Sequence, residues 1–408
     1  MLLETNMLDV SKISSLKYFL FGSLYFAEGI HLSLSTILIV IYFTEKDISI
    51  ATTTLVVGIG YLPWVFKFIL GTLSDYFIKL GRKFFIIIGG VLGAGFLIPL
   101  SIIDPKTTLV PFTIFLFLSH TFVVLLDISA DAWAIQVAKS HERGKVNASM
   151  TAGMFSGMAF GTSVLSYIAG TYSFNTMFIT ASIVILTTII LPIITRERRL
   201  IKKRQAILSL IIQEFKKQNT KIVALFGFIA AMNFGALIMI IPDYMMNFLD
   251  LDVIQTGLIT TLFPIATVIG AVTGGSLADY WGRKKTLYLF FSCTIVVSAL
   301  LITATTWQIL AVLYPIIGFL QGSTSFAALM ALYMDNTNPT IGATQFSIFT
   351  SISNFGDIGV AMISGSLVVL LGYQRFFLYA ALIVGPALLI LRFVQEKHII
   401  EKKPTISK

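Results

Sequence analysis

The chain is poor in charge and in cysteine. Asp, Glu, Lys and Arg together make up 12% of its 408 residues, whereas a soluble globular domain carries about 25%, and the mean hydropathy is +0.88. This composition excludes a water-soluble domain and predicts a multi-pass membrane protein. The single cysteine, Cys293, excludes an internal disulfide framework and leaves no thiolate zinc site.

Signatures of enzymes and metal sites are also missing from the sequence. The four histidines are scattered, and neither a phosphate-binding loop nor a His-Glu-x-x-His pattern occurs. We therefore expect no catalytic residue, no metal and no cofactor, which argues against an ATP-driven pump. A membrane-embedded enzyme stays open as an alternative, because Glu28, His31 and His120 could serve acid–base chemistry. A receptor and a gated channel are further alternatives.

Long apolar runs, in contrast, fill most of the chain. A spanning helix needs about 20 mainly apolar residues. On that measure the sequence predicts an all-α fold with twelve spans, near residues 16–43, 51–74, 83–103, 109–133, 147–170, 174–195, 221–247, 255–279, 284–304, 307–334, 342–370 and 373–394. The first run is longer than the roughly 7–15 apolar residues of a signal peptide, so we expect a retained span.

The basic residues mark one side of these spans. They collect in alternate connections, whereas the remaining connections hold only Lys46, Lys106 and Arg375. Such a bias predicts a protein of the cell membrane with both termini in the cytoplasm. The formal charge of +9 is thereby explained as a topology signal, and we expect no nucleic-acid partner.

A short motif occurs twice in the chain. In each copy a glycine and an aspartate end one apolar run and a Gly-Arg-Lys turn opens the next; the copies contain Gly71, Asp75, Gly81 and Arg82, and Gly275, Asp279, Gly282 and Arg283. Asp75 and Asp279 lie 204 residues apart, and Asp131 and Asp335 keep the same offset. The sequence therefore predicts a duplicated chain whose two halves share one plan.

The break between the halves is a basic segment in the middle of the chain. We place the first six-span half at residues 1–195, the segment at 196–220 and the second half at 221–408. The segment is either an amphipathic helix on the inner leaflet or a solvated linker whose charges report topology. We favour the linker, with a short helix in it.

The repeated motif resembles the signature loop of the major facilitator superfamily. It has the matching residues and falls at the second-to-third and eighth-to-ninth connections. Phrases at residues 25–30, 62–67, 127–132 and 142–144 resemble the muropeptide-permease and folate–biopterin transporter branch. The resemblance implies two pseudo-symmetric six-helix bundles in a lipid bilayer, a monomer, and alternating access to a small-molecule solute.

The resemblance also implies that spans one, four, seven and ten line a central cavity. Each of them carries polar residues at helical spacing, and the predicted cavity residues are Ser35, His120, Asn233, Tyr314, Gln321 and Ser325. This mixture suits a polar solute, anionic compounds included. The branch resemblance implies amphiphilic glycopeptides, pterins or similar compounds.

Three ionisable residues are candidates for proton coupling. Glu28 and His31 share one face of the first span near mid-membrane, and Asp357 lies midway along the eleventh. A charge at that depth costs several kcal/mol, so such residues tend to face a cavity or a partner. The alternatives are a closed Glu28–His31 hydrogen bond that only holds the helix, and a basic neighbour for Asp357 such as Lys67.

Lys67 and Asp127 are predicted at similar depth on the second and fourth spans. We expect a structural ion pair between them, because each buried charge needs a partner. The functional alternative is that Lys67 attracts an anionic group of the solute.

The repeated motif itself predicts a gate at the cytoplasmic face. The resemblance implies that the loop aspartate, the loop arginine and the fourth-span aspartate lock the halves together when the other face opens. The predicted gate residues are Gly71, Asp75, Gly81, Arg82, Asp131 and Arg143 in the first half and Gly275, Asp279, Gly282, Arg283 and Asp335 in the second.

The sequence thus predicts a secondary active transporter, proton-coupled, of a small polar or amphiphilic organic solute. A facilitative uniporter, an efflux antiporter and a non-transporting membrane sensor are the alternatives. Gradient-driven accumulation separates the transporter from the enzyme and the channel, which do not produce it.

Overall fold

A computed structural model describes residues 8–10, 13–139, 142–197, 207–338 and 341–395. Among these residues eleven helices, and one bent helix pair, are long and apolar enough to cross a membrane. We number them span 1 to span 12: Ser14–Glu45, Ile50–Val65 with Lys67–Ser74, Arg82–Leu100, Leu109–Val137, Lys145–Thr171, Phe174–Ile194, Gln218–Asn247, Val253–Trp281, Arg283–Thr303, Trp307–Asn336, Thr344–Leu371 and Tyr373–Leu391. The prediction of an all-α multi-pass membrane protein is confirmed.

Two small features lie outside the spans. The strand Leu8–Asp9 pairs in parallel with the strand Thr195–Arg196, at the end of span 6. The helix Ile207–Lys216 precedes span 7, and Glu214 within it accepts a hydrogen bond from Asn338, just beyond span 10. Residues 198–206 of the predicted linker lie outside the described residues.

Several spans depart from regular α-helix. Span 2 bends by 41° where its two helices meet, three residues after Pro63, a residue type that removes a backbone donor from a helix. Spans 1, 5 and 10 each contain one π turn, at Leu34–Leu38, Gly161–Leu165 and Thr324–Ala328. Because a π turn redirects the side chains around it, such turns often occur at functional sites.

Small residues bring particular spans into backbone contact. A Cβ atom added at Gly153 or Gly157 of span 5 would overlap the backbone of span 1 at Gly22 or Phe26. Spans 8 and 10 meet in the same way, since a Cβ on the span 8 glycine at position 270 would overlap backbone atoms of span 10. Such close approach is how helices pack in a membrane. It fixes which face of span 1 points towards span 4.

The two halves meet at the face opposite to the Gly-Arg-Lys turns. We call the face with those turns the basic face. At the opposite face Thr44 of span 1 donates to Asp243 of span 7 (3.0 Å), and Thr162 of span 5 lies 2.9 Å from Thr261 of span 8, oxygen to oxygen. Residues 37–43 of span 1 and 240–245 of span 7 are buried there. These contacts and this burial close the molecule at the face opposite to the basic turns.

Candidate functional site

A cluster of ionisable residues lies inside the first half, between spans 1, 2 and 4. The Tyr25 hydroxyl oxygen is 2.5 Å from Asp131 Oδ1 and 3.1 Å from Asp127 Oδ1. Lys67 Nζ is 3.8 Å from Asp127 Oδ2. Glu28 lies one helical turn after Tyr25, within electrostatic range of Asp127, Asp131 and Lys67. We call these five residues the acid cluster.

The acid cluster holds more negative than positive charge. Glu28, Asp127 and Asp131 supply three carboxyl groups and Lys67 the single ammonium group, so full ionisation leaves a net charge of −2. Glu28 is 8% exposed, and its Oε2 has no hydrogen-bond partner among the described residues. Buried charge without a partner is costly, so this arrangement favours binding of protons or of a cation.

A second group of side chains lies next to the acid cluster. The Trp64 indole N–H donates to His120 Nδ1 (3.2 Å), and His120 Nε2 is 2.6 Å from the Ser35 hydroxyl. Since Nδ1 accepts a hydrogen bond, His120 is neutral and carries its proton on Nε2. The Tyr61 ring packs on His120 with centroids 4.4 Å apart. Ser35 reaches His120 from the π turn of span 1.

His31 lies beside this group without a polar contact. Its ring centroid is 5.8 Å from that of His120, it is 1% exposed, and neither ring nitrogen has a hydrogen-bond partner among the described residues. The closed Glu28–His31 hydrogen bond considered from the sequence is therefore not present in the structure. Both side chains are buried and remain available for another partner.

The second half carries an uncharged network in the corresponding region. Gln321 donates to Asn233 Oδ1 (2.9 Å), and Asn233 donates to Ser298 Oγ and to the backbone oxygen of Ala380. Asn233 and Gln321 are fully buried. Their polar groups join spans 7, 9, 10 and 12 in this structure, and their place in a solute cavity stays a prediction.

Two other predicted cavity residues lie beside this network. Ser325, on the π turn of span 10, donates to Gln321 Oε1 (3.0 Å) and is half-buried. Tyr314 is 1% exposed, and its hydroxyl has no hydrogen-bond partner among the described residues. Its ring packs on Phe263 of span 8. Tyr314 is thus packed inside the second half and is not exposed to solvent in this structure.

Asp357 of span 11 packs against span 7 and lies near the first half. It is half-buried, forms no hydrogen bond or ion pair with a described residue, and lies within electrostatic range of Tyr61 of span 2. Nearby, Asn354 donates across the halves to the backbone oxygen of Trp64 (3.1 Å). The basic neighbour considered for Asp357 is therefore absent among the described residues, and its Oδ1 lies close to Gly235 of span 7.

The gate residues of the second half meet as the motif predicts. Arg283 Nη1 pairs with Asp279, and Arg283 Nε donates to Asp335 Oδ2 (3.1 Å). Gly282 has a φ of 95°, in the region that favours glycine, and thus forms the turn that places Arg283. Gly275 lies in span 8, where a Cβ would meet only the span 10 side chain at position 327, at 3.9 Å.

The first half differs from the second at the gate. Asp131 bonds Tyr25 instead of Arg82, and Arg82 Nη1 donates to Ser74 Oγ (2.8 Å). The predicted meeting of Arg82 and Asp131 is therefore absent here. Gly81 has a φ of 91°, which repeats the turn of the second half. Of the other predicted gate residues, Gly71 lies in span 2 against Ile128, and the side chains of Asp75 and Arg143 lie outside the described ones.

Sequence reasoning missed several residues of the site. Tyr25 and Trp64 fall within the phrases that carry the resemblance and Tyr61 directly precedes one of them, although Tyr25 lies three residues before Glu28 and thus on the same helix face. Asp243 is another such residue, since it accepts hydrogen bonds from three side chains, those of Thr44, Asn247 and Tyr373. An acid within an apolar run was the available signal for Asp243.

A buried ion pair supports the first half at the basic face. Lys17 Nζ is 2.5 Å from Glu142 Oε2, and the side chains are 1% and 7% exposed. The hydrogen bonds from Lys17 and Ser14 lower the pKa of Glu142 from 4.5 to about 2. Glu142 therefore stays ionised over the physiological range and ties the connection before span 5 to the start of span 1.

Comparison with known proteins gives consistent results. The model of the Major Facilitator Superfamily matches residues 18–219 and 223–408. The anhydromuropeptide permease of Escherichia coli K12 is 24% identical over 384 residues, which cover 90% of this chain and 77% of the relative.

Two solved structures share the fold. A mutant of the nucleoside transporter NupG aligns with a TM-score of 0.74 at 16% identity and covers 93% of this chain and 100% of its own. A bacterial homologue of the human lysosomal transporter Spinster, solved inward-facing and unoccupied, has a TM-score of 0.74 at 12% identity. It covers 93% of this chain and 96% of its own. At these identities the likeness concerns the fold.

Proposed function

We propose that this chain, which belongs to the major facilitator superfamily, is a secondary active transporter that couples the movement of a small polar or amphiphilic organic solute to protons. The observation that carries the proposal is the acid cluster, in which three carboxyl groups share one lysine. Glu28 is buried there without a full set of hydrogen bonds. A carboxyl group so placed gains from binding a proton.

The arrangement of the halves supports alternating access. The halves are closed at the face opposite to the basic turns, where hydrogen bonds such as Thr44–Asp243 join them. We assign the basic face to the cytoplasm, with both termini there and the protein a monomer in the cell membrane. The Arg283–Asp279–Asp335 group and its counterparts in the first half then act as the cytoplasmic gate.

The solute is proposed to bind between the acid cluster, the His31–His120 group and Asp357. The polar groups there are mixed, and Tyr61 and Trp64 add aromatic surface, a combination suited to solutes with polar and apolar parts. The relative named as an anhydromuropeptide permease makes sugar–peptide compounds the first class to test. Compounds of unrelated polarity belong in the same panel as controls.

The coupling is tested with purified protein in proteoliposomes. Uptake driven by a pH gradient and counterflow exchange at equal pH are measured for wild type and for Glu28→Gln, which keeps shape but carries no charge. We expect the variant to lose driven accumulation and to keep exchange. Driven accumulation at the wild-type level in Glu28→Gln would overturn the coupling role.

The same preparation separates the alternatives. A uniporter equilibrates the solute without accumulating it under any pH gradient. An efflux antiporter accumulates solute only when the gradient is reversed. A sensor binds solute, shown by a thermal shift, but gives neither uptake nor exchange.

A further inference from the structure

We propose that Asp131, Tyr25 and Asp127 form a proton-binding site in which Asp131 holds the proton, an assignment that rests on the proposed coupling to protons. The argument starts from one hydroxyl group and two carboxyl groups. Tyr25 has a single O–H, so it can donate only one hydrogen bond. Yet its oxygen lies 2.5 Å from Asp131 Oδ1 and 3.1 Å from Asp127 Oδ1.

The two short contacts are both satisfied when one carboxyl group is protonated. Asp127 is paired with the Lys67 ammonium group at 3.8 Å, which favours its ionised form. Asp131 forms no ion pair with a described residue. The proton therefore resides on Asp131, which donates to the Tyr25 oxygen while the Tyr25 hydroxyl donates to Asp127.

The charges around this site point the same way. The groups that face Asp131 are Tyr25 and Glu28 of span 1, Lys67 of span 2 and Asp127 of its own span. One ammonium group cannot balance three carboxylates, and repulsion between neighbouring carboxylates is relieved when one takes up a proton. A proton on Asp131 neutralises the one of these aspartates that has no cation of the described residues within ion-pair distance.

The duplicated half supplies a natural comparison. Asp335 occupies the position 204 residues after Asp131, and there it is bound by Arg283. The same offset from Asp127 leads to Ala331, so the second half lacks the adjacent carboxyl group. Asp335 thus has a cation and no acidic neighbour four residues before it, whereas Asp131 has the acidic neighbour and forms no ion pair with a cation of the described residues. The proton site is a property of the first half alone.

Asp131 can make two different contacts, depending on whether it holds its proton. As long as it holds its proton it bonds Tyr25 and stays away from Arg82, as in this structure. After losing the proton it is a carboxylate four residues along span 4 from Asp127, which repels it, and Arg82 offers it a cation. Release of the proton would in this way permit the gate contact that Asp335 and Arg283 make in the second half.

The experiment measures protonation directly, independently of transport. Infrared difference spectra of the purified protein between acid and alkaline pH contain the C=O stretch of the carboxyl groups that take up a proton, and comparison with a variant isolates the band of one group. We expect such a band in wild type, its loss in Asp131→Asn, and its retention in the matched control Asp335→Asn. A band that persists unchanged in Asp131→Asn would overturn the assignment.

A second variant covers the case in which Asp131→Asn does not fold. Tyr25→Phe retains every carboxyl group and removes only the hydroxyl, so the band should move to higher frequency because its acceptor is lost. An unmoved band in Tyr25→Phe contradicts the site. If the bands behave as expected but no pH gradient drives uptake by wild type, the proton site stands and the proposed transport coupling fails.

Discussion

Removal of one hydrogen bond at the closed face should shift the balance between the conformations. Thr44 of span 1 donates to Asp243 of span 7 at 3.0 Å, and this bond joins the two halves. Thr44→Val replaces the hydroxyl with a methyl group of similar size. The Asp243 carboxyl group keeps its bonds from Asn247 and Tyr373, so it is not left without partners.

The expected magnitude follows from the charge of the acceptor. A hydrogen bond to a charged group contributes about 1.5–3 kcal/mol, and the lower value applies because two donors to Asp243 remain. About 1.5 kcal/mol corresponds to a roughly tenfold change in a two-state equilibrium. Thr44→Val should therefore raise the population that is open at this face about tenfold, if that bond is absent in the open form.

The assay is a distance measurement between spin labels on the two halves. Thr107 and Thr305 are both exposed at the closed face, before spans 4 and 10, and are replaced by cysteines in a Cys293→Ser background. We expect a longer-distance component that grows in Thr44→Val. Thr44→Ser, which keeps the donor, is the control and should match the parent. An unchanged distance distribution in Thr44→Val refutes the reasoning.

Three further predictions concern the support of the site. Lys67→Met should lower the melting temperature more than the double variant Lys67→Met/Asp127→Asn does, because loss of one partner of a buried ion pair costs about 3–5 kcal/mol; equal losses would contradict a buried pair. Gly157→Ala should destabilise the folded state by about 1–3 kcal/mol and so lower the melting temperature, because the added methyl group overlaps the backbone of Phe26. Gly95→Ala places its methyl group in open space and should leave the melting temperature unchanged. The folded-state pKa of Glu142, about 2, lies below the ordinary 4.5, so the stability that this ion pair contributes is complete above pH 4.5 and is lost as the pH falls towards 2. Wild type should have a higher melting temperature than Glu142→Gln at pH 7, and the two melting temperatures should converge below pH 4.5. A difference that stays constant with pH would count against the ion pair.

The sequence was sufficient for the architecture because its signals are long. Twelve apolar runs and a motif repeated at one offset predict the spans and the duplication without knowledge of any contact. The motif in the second half also brings Arg283 to Asp279 and Asp335, since those residues lie at the end of span 8, the start of span 9 and the end of span 10. Local spacing and the fold agree there.

Helical spacing does not tell which faces meet. Asn233 and Gln321 lie on predicted polar stripes, yet the structure turns them towards each other and towards spans 9 and 12. The resemblance implies that Asp131 meets Arg82, whereas in the structure Asp131 bonds Tyr25 of span 1. Both differences depend on the rotation of a helix about its axis, which several neighbours set together.

The backbone contact between spans 1 and 5 has a mechanical consequence. Side-chain contacts can slip, because a rotamer change absorbs a displacement, but Gly153 and Gly157 leave no side chain between span 5 and Gly22 or Phe26 of span 1. We therefore expect these two spans to move together as one rigid body. A conformational change then has to occur at other positions, such as the break in span 2 after Pro63, where helices can bend or slide.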